Sequence, residues 1–257
     1  MTDYFDIRNS NYVITGANGY LGRALTKGLL EAGANVLAIS RNRNLLDTVI
    51  DRRYYENIEV ELLDCNDELL VKNAIFKFKT KFGAIDGLIN NAYSAPRRPS
   101  FNMEIPEIHE VIQNCFVQYW TTIRALLPFA NKDHCSIINN SSLWSELVPN
   151  LDMYLDLQNE PSVALTVSKA AVNQLTRYTS ILFAKDNIRV NTLIPGTFPQ
   201  KRKEIRLDYM NQLEQRIPMR KIGMPEELIG PVIFLLSRAS KYMTGQTLNI
   251  DGGYSIY

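Results

Sequence analysis

The sequence predicts an α/β fold in which a doubly wound parallel sheet carries helices on both faces. Short apolar runs alternate with helical patterns along the whole chain, which is typical of parallel strands joined by helices. The chain has 257 residues, of which 46% are hydrophobic, and this suits one domain with a substantial core. We therefore expect a single domain over 1–257.

The predicted elements follow one another in a regular order. The runs expected to form strands are YVIT, NVLAIS, IEVELL, GLIN, SIIN, RVNTLI and TLNI, each short enough to be a buried strand. Helical patterns follow the first six runs: one ends at Ala32, another at Lys81, two follow GLIN, and one spans about Pro161 to Lys185. Two stretches, 147–161 and 197–218, follow strand ends and are expected to border a ligand site, because ligands bind beyond the carboxyl ends of such strands.

Charge and composition exclude several classes of function. A formal net charge of +1 and a pI near 7.6 give no global field for nucleic acid or an anionic membrane. The amino terminus shows no signal or transit peptide pattern, and no apolar stretch approaches the roughly 20 residues that span a bilayer. We expect a cytoplasmic protein.

The cysteines and histidines indicate neither disulfides nor a metal. Cys65, Cys115 and Cys135 lie far apart and show no CxxC spacing, so neither a disulfide framework nor a zinc site is predicted. His109 and His134 are isolated in the sequence. No metal site is assigned.

A glycine-rich run, TGANGYLG, follows the first predicted strand and opens the first helix. Gly16 permits a tight turn, and Gly19 and Gly22 let the backbone and the helix amino terminus approach a pyrophosphate. Because the run stands between a strand and a helix, it predicts a nucleotide site.

Seven landmarks in order resemble the short-chain dehydrogenase/reductase family over essentially the whole chain. They are TGANGYLG, LLD with Asp64, NNA (Asn90 to Ala92), NSS (Asn140 to Ser142), SKAA (Ser168 to Ala171), NTLIPG (Asn191 to Gly196) and TGQTLNIDGG (Thr244 to Gly253). The resemblance implies a Rossmann-type fold, a nicotinamide dinucleotide, and Ser, Tyr and Lys residues that protonate a carbonyl oxygen as hydride is delivered. Within the family, an inserted stretch, DLQNEPSVA, resembles flagellin and polysaccharide modification reductases.

The implied catalytic set is incomplete. Ser142 matches the carbonyl-orienting hydroxyl, Lys169 matches the lysine that grips the nicotinamide ribose, and Asn114 is the candidate that holds a relaying water. Position 165, one helical turn before Lys169, is Leu165, which has no proton to give. Tyr154 is a candidate substitute acid, or else a substrate-facing or structural residue, because Pro161 is expected to separate it from Lys169.

The residues at the end of the second strand favour NADP(H) over NAD(H). Ser40 and Arg41 stand where NAD-specific relatives carry an acid, and a guanidinium there can pair with a 2′-phosphate. The alternative is that Arg41 and Arg43 belong to a solvated loop. Tyr20 and Tyr93 replace glycines of the family pattern beside the expected pyrophosphate. By resemblance, the cofactor site comprises Gly16, Asn18, Gly19, Tyr20, Leu21, Gly22, Ser40, Arg41, Asp64, Cys65, Asn91, Ala92, Lys169, Pro195 and Gly196.

Two functions remain open from the sequence. The first is an NADP-dependent oxidoreductase that acts on a small carbonyl, alcohol or sugar-type substrate with an altered proton donor. The second is a non-catalytic nucleotide-binding partner or regulatory subunit. The run QKRKEIR (200–206), in the segment that covers the substrate in relatives, could attract an anionic substrate or be an ordinary solvated face. The resemblance also implies a homodimer or homotetramer, formed through residues 105–130 and 161–185 and the carboxyl-terminal strand.

Overall fold

The computed structural model describes residues 3–42, 50–95, 100–150, 161–199 and 207–257. Its centre is a seven-stranded, fully parallel sheet with the order β3-β2-β1-β4-β5-β6-β7. The strands are β1 (Asn11–Thr15), β2 (Asn35–Ser40), β3 (Ile58–Leu62), β4 (Gly87–Asn90), β5 (Cys135–Asn140), β6 (Ile188–Pro195) and β7 (Thr247–Ile250). The order reverses between β1 and β4, and at such a switch point a crevice opens beyond the strand ends.

Helices connect the strands across both faces of the sheet. They are α1 (Tyr20–Glu31), α2 (Glu68–Phe82), α3 (Ile105–Ile112), α4 (Gln118–Leu126), α5 (Val163–Phe183), α6 (Leu207–Arg216) and α7 (Ile229–Leu236). A π-helical turn over Gln113–Val117 joins α3 to α4. Side chains cap the amino termini of two helices. The Asp67 carboxylate accepts from the Leu70 N–H at the start of α2, and the Ser162 hydroxyl accepts from the Leu165 N–H at the start of α5.

Two apolar cores lie on the two faces of the sheet. On one face Leu25 and Leu29 of α1 pack with Val232 and Leu235 of α7 against the strands. On the other face α2, α4 and α5 contribute a second cluster, whose members include Ile75, Phe78, Ile123, Leu126 and Phe183. All five β1 residues and all six β2 residues are buried, because helices cover both faces of these strands.

The predicted fold class is confirmed, and every predicted strand forms in its predicted place. The two helices predicted after GLIN are α3 and α4, but their junction is the π-helical turn, which sequence periodicity did not indicate. The helix predicted after β2 falls largely outside the described residues. In the described part of that connection, only a short 3₁₀ turn at Arg52–Tyr54 is helical.

Candidate functional site

The glycine-rich loop is shaped by close backbone approach. Gly16 has φ +66°, and a Cβ there would lie 2.7 Å from the Ala92 Cα. A Cβ on Gly22 would lie 2.1 Å from the Gly16 carbonyl oxygen. The loop therefore packs against its own first turn and against the residues after β4 in a way that only glycine permits.

The amino terminus of α1 fits an anion. Gly19 occupies the N-cap, no side chain caps the helix, and its first turn contains no acidic residue. The first amide groups of α1 thus meet no competing side-chain acceptor, and the helix dipole favours negative charge at this point. Asn18 holds the preceding turn in place by donating to the Asn42 carbonyl at 3.2 Å. These residues fit the pyrophosphate that the sequence predicts.

The end of β2 carries an exposed cation. The buried Ser40 hydroxyl donates to the Asn42 carbonyl at 2.7 Å, which turns the chain directly after the strand. The Arg41 side chain is exposed, and it forms no ion pair with any other residue that the structure describes. A guanidinium at this position can pair with a phosphate. Arg43 lies outside the described residues.

Asp64 and Cys65 lie in the loop between β3 and α2. The exposed Asp64 carboxylate accepts from the Asn66 N–H at 2.9 Å. Burial raises the pKa of the Cys65 thiol to about 12, so Cys65 stays a neutral thiol and packs as an apolar side chain.

The residues after β4 are fixed to the glycine-rich loop. The Asn91 and Ala92 N–H groups both donate to the Thr15 Oγ1 at 3.1 Å, and the Asn91 amide donates to the Gly16 carbonyl at 3.1 Å. Gln118 donates to the Ala92 carbonyl at 2.9 Å. The ends of β1 and β4 are thereby tied together, and Asn91 and Ala92 lie against the glycine-rich loop.

Lys169 is buried at the end of β5. Its side chain is 3% exposed, and its Nζ donates to the Asn140 carbonyl at 2.8 Å and to the Tyr119 hydroxyl at 3.2 Å. The Tyr119 hydroxyl in turn donates to the same carbonyl at 2.9 Å. Burial lowers the pKa of Lys169 from 10.5 to about 8. Bonds to described residues use two of the three N–H groups of the ammonium, so the third can meet a ligand.

Two tyrosine rings flank the Lys169 ammonium. The Nζ lies 5.0 Å from the ring centroid of Tyr119 and 5.3 Å from that of Tyr93. Such distances stabilise the cation through the negative ring faces. The Tyr119 ring is buried, whereas Tyr93 is 57% exposed.

Ser142 follows β5 by two residues, after Asn140 and Ser141, which both contact Lys169. Its Oγ accepts from the Trp144 N–H at 3.3 Å and caps a 3₁₀ turn. The neighbouring Ser141 hydroxyl donates to the Lys169 carbonyl at 3.0 Å, which holds α5 against the strand end. The structure therefore brings Ser142 and Lys169 to the same edge of the sheet.

Leu165 presents an apolar side chain one turn before Lys169. It packs against a small cluster formed by Met103, Val111, Cys115 and Ala164. No hydroxyl therefore stands at the position where the family resemblance places its tyrosine.

Asn114 lies in the π-helical turn and faces away from Lys169. Its Oδ1 accepts from the Asn66 amide at 2.9 Å, and its Nδ2 donates to Glu110 at 3.5 Å. Cys115, one residue later, is buried in the small cluster against which Leu165 packs.

The remaining predicted residues divide between described and undescribed parts of the chain. Pro195 ends β6 and is buried, and a Cβ on Gly196 would lie 2.4 Å from the Asp251 Cα. Tyr154 and the run 200–206 lie outside the described residues, so the structure does not place them.

Sequence reasoning missed Tyr119 and Asn140 as neighbours of Lys169. Asn140 belongs to the NSS landmark, and its amide donates to Asn91 at 2.9 Å, which links the ends of β4 and β5. No local sequence pattern indicated Tyr119, which lies 50 residues before Lys169.

Comparison with known proteins agrees with this geometry. The family described as enoyl-(acyl carrier protein) reductase matches residues 16–255. The chain is 31% identical over 260 residues to a 2-dehydro-3-deoxy-D-gluconate 5-dehydrogenase of Formosa agariphila, covering 98% of this chain and 94% of that protein. The chain belongs to the short-chain dehydrogenase/reductase family.

Other members of the short-chain dehydrogenase/reductase family are similar over their full length. A 5-keto-D-gluconate 5-reductase of Escherichia coli K12 is 27% identical over 259 residues, covering 98% of each chain. A gluconate 5-dehydrogenase of Burkholderia cenocepacia, solved in complex with NADP and tartrate, superposes with a TM-score of 0.86 at 29% identity, covering 99% of this chain and 98% of that one.

Neither a membrane span nor a metal cluster is found in the part of the chain that the structure describes. None of its helices combines the length and apolar character needed to cross a bilayer. Within the same residues, no three His, Cys, Asp or Glu side chains group as metal ligands would.

Proposed function

We propose that this protein is a nicotinamide-dependent oxidoreductase that interconverts a carbonyl and an alcohol on a small sugar-acid or related sugar-type substrate. The observation that carries the proposal is the buried Lys169 ammonium, held by the Asn140 carbonyl at the carboxyl end of β5, two residues before Ser142. A buried cation with no carboxylate partner among the described residues is costly to fold. A ligand that carries hydroxyl or anionic groups would supply the partner that the Lys169 ammonium lacks.

The side chains present define the proposed roles. When bound, a nicotinamide nucleotide supplies or accepts the hydride. Lys169 would hold the nicotinamide ribose through its remaining N–H, and the Ser142 hydroxyl would orient the carbonyl oxygen. Leu165 cannot protonate that oxygen, so the donor must be another group, and Tyr154 is one candidate. Removing a general acid typically slows a reaction by about 10²- to 10⁴-fold.

The cofactor proposed is NADP(H) in preference to NAD(H). The exposed Arg41, free of ion pairs among the described residues, stands directly after β2 and can pair with a 2′-phosphate. Titrating the protein with NADPH and with NADH tests this, and equal affinities would refute it.

A polyhydroxy carboxylate is the proposed substrate class. The named activities of the relatives on gluconate derivatives support it, as does the insertion that resembles polysaccharide modification reductases. Lys201, Arg202, Lys203 and Arg206 would supply the cations for a carboxylate or phosphate. Turnover of 5-keto-D-gluconate with NADPH, compared with neutral diketones, tests the class. If a double substitution of Arg202 and Arg206 by Gln weakens substrate binding in a salt-dependent way, the run contacts the anion.

A second candidate function is favoured by Leu165. Leu165 is an apolar side chain, packed against the cluster that contains Met103, at the position where the family has its proton donor. This would suit a non-catalytic nucleotide-binding partner or regulatory subunit. The two candidates differ in one measurement. Tight NADPH binding with no oxidation of NADPH by any sugar acid or keto-sugar would favour the binding role.

Self-association is the proposed assembly. The outer face of α5 exposes Val167, Tyr178 and Ile181, which are 58%, 67% and 78% exposed in the isolated chain. Exposed apolar side chains along one helix are typical of a protein interface. Sedimentation should therefore show a homodimer or homotetramer, and a monomer at micromolar concentration would refute it.

A further inference from the structure

The proposed oxidoreductase needs a proton donor that Leu165 cannot provide. Such a donor requires a hydroxyl that reaches the open crevice and lies close to the Lys169 ammonium, which can stabilise the conjugate base. Two described tyrosines lie beside Lys169, namely Tyr93 and Tyr119. They differ in access to the crevice.

Tyr119 does not meet these requirements. Its ring is 1% exposed, and its hydroxyl proton is already donated to the Asn140 carbonyl. Burial also raises the pKa of this phenol well above its usual range. Tyr119 therefore anchors Lys169 from the core side and has no route for its proton to a substrate.

Tyr93 differs from Tyr119 in both respects, because its ring is exposed and lies beside the ammonium. Its side chain is 57% exposed, and its ring centroid lies 5.3 Å from the Lys169 Nζ. It is the third residue after β4, the strand between β1 and β5. The sequence placed Tyr93 beside the expected pyrophosphate, whereas the structure places its ring beside Lys169. The backbone of Ala92 is fixed on both sides, by the Thr15 hydroxyl at 3.1 Å and the Gln118 amide at 2.9 Å, so the position of Tyr93 is built into the fold.

We propose that Tyr93 is the proton donor of the reaction, acting in place of the tyrosine that Leu165 replaces. This inference rests on the proposed function. Tyr93 gives its phenolic proton to the carbonyl oxygen, which receives the C=O π electrons as hydride from a reduced nicotinamide nucleotide forms the new C–H bond. The products are the alcohol, the oxidised nucleotide and a phenolate. Water in the open crevice then returns a proton to the Tyr93 phenolate.

The decisive variant is Tyr93→Phe, which removes the hydroxyl and keeps the ring over Lys169. We expect the rate of 5-keto-D-gluconate reduction to fall by about 10²-fold or more, as for loss of a general acid. Affinity for NADPH should stay unchanged. Tyr55→Phe is the matched control, because Tyr55 is 54% exposed but lies before β3, the edge strand, at the amino ends of the strands and away from the crevice.

A second readout does not depend on turnover. Tetranitromethane nitrates exposed phenols, and peptide mass spectrometry locates the product. NADP⁺ together with 5-keto-D-gluconate cannot react, yet the pair should protect Tyr93 from nitration and leave Tyr55 exposed. Nitration of Tyr93 at an undiminished rate would overturn the proposal.

The kinetic outcomes separate this inference from the proposed function. No turnover in the parent protein would overturn both. Turnover in the parent that Tyr93→Phe matches would overturn the donor role and leave the oxidoreductase standing, and a loss confined to Tyr154→Phe would assign the donor to Tyr154. Loss of NADPH affinity in Tyr93→Phe would make Tyr93 a cofactor contact and would also overturn the proposal.

Discussion

Replacing Lys169 by Met should make the folded chain more stable near neutral pH while removing its function. Each pKa unit corresponds to about 1.4 kcal/mol, so the fall in the pKa of Lys169 from 10.5 to about 8 makes its charged form about 3 kcal/mol less stable in the folded chain. Met fills a similar volume without a charge. The two hydrogen bonds from Nζ are lost, at a cost of about 1 kcal/mol each, which leaves a net gain of about 1 kcal/mol.

The gain should depend on pH in a defined direction. Burial lowers the folded-state pKa of Lys169, so between pH 8 and 10.5 the unfolded chain binds the proton that the folded chain has released. The stability of the parent therefore rises with pH across this window. Below it, both states are protonated and the parent carries the full penalty. The Met variant lacks the titrating group, so its advantage should shrink above pH 8 and reverse toward pH 10.5.

Urea unfolding of parent and variant at a series of pH values measures this difference directly. Lys72→Met is the control, because Lys72 is exposed on α2 and its charge is already hydrated. A stability difference between Lys169→Met and the parent that stays constant from neutral to alkaline pH would refute the argument, as it would show that burial does not penalise the ammonium.

Other predictions concern the cofactor and the missing acid. Arg41→Ala should bring the affinity for NADPH close to that for NADH, measured by fluorescence titration, and a preserved preference would assign specificity elsewhere. Gly22→Ala should destabilise the fold by about 1–3 kcal/mol and weaken nucleotide binding, because its Cβ would lie 2.1 Å from a backbone oxygen. Gly230→Ala on α7 is the control: a Cβ there would meet no atom within 4 Å, so the change should leave stability unchanged or raise it. Leu165→Tyr should raise the rate of keto-sugar reduction by placing a phenol one turn from Lys169, and a folded variant that binds NADPH without any gain would show that this position does not face the substrate.

The architecture could be predicted because it rests on local patterns. Each strand is a short apolar run, buried on both faces, and each helix has its own period and its own start, such as Asp67 before α2. The π-helical turn at Gln113–Val117 escaped prediction because it adds one residue to a continuous helical pattern. Within this turn the Asn114 side chain bonds to Asn66, whereas Cys115 is buried in the cluster that Leu165 contacts. The sequence match chose Asn114.

The candidate site was predictable only where a motif is contiguous. TGANGYLG and NNA name residues that the fold joins, as the bonds from Asn91 and Ala92 to Thr15 show. The surroundings of Lys169 come from distant segments, since Tyr119 lies 50 residues before it. The hydrophobic periodicity around Lys169 does not indicate which aromatic ring from a distant segment will lie beside its ammonium.

The balance of charge around Lys169 bears on which function the fold serves. In the described part of the chain, its ammonium meets a carbonyl, a hydroxyl and two aromatic rings, but no carboxylate. A neutral side chain of similar size would fill this place at a lower free energy, so the core itself gains nothing from the charge. The charge becomes favourable when a ligand with hydroxyl or anionic groups occupies the crevice. A lysine pKa of about 8 also leaves the amine able to exchange its proton near neutral pH, which a purely structural contact does not require. Lys169 thus supports nucleotide binding directly, and supports catalysis to the extent that a phenol beside it can use that charge.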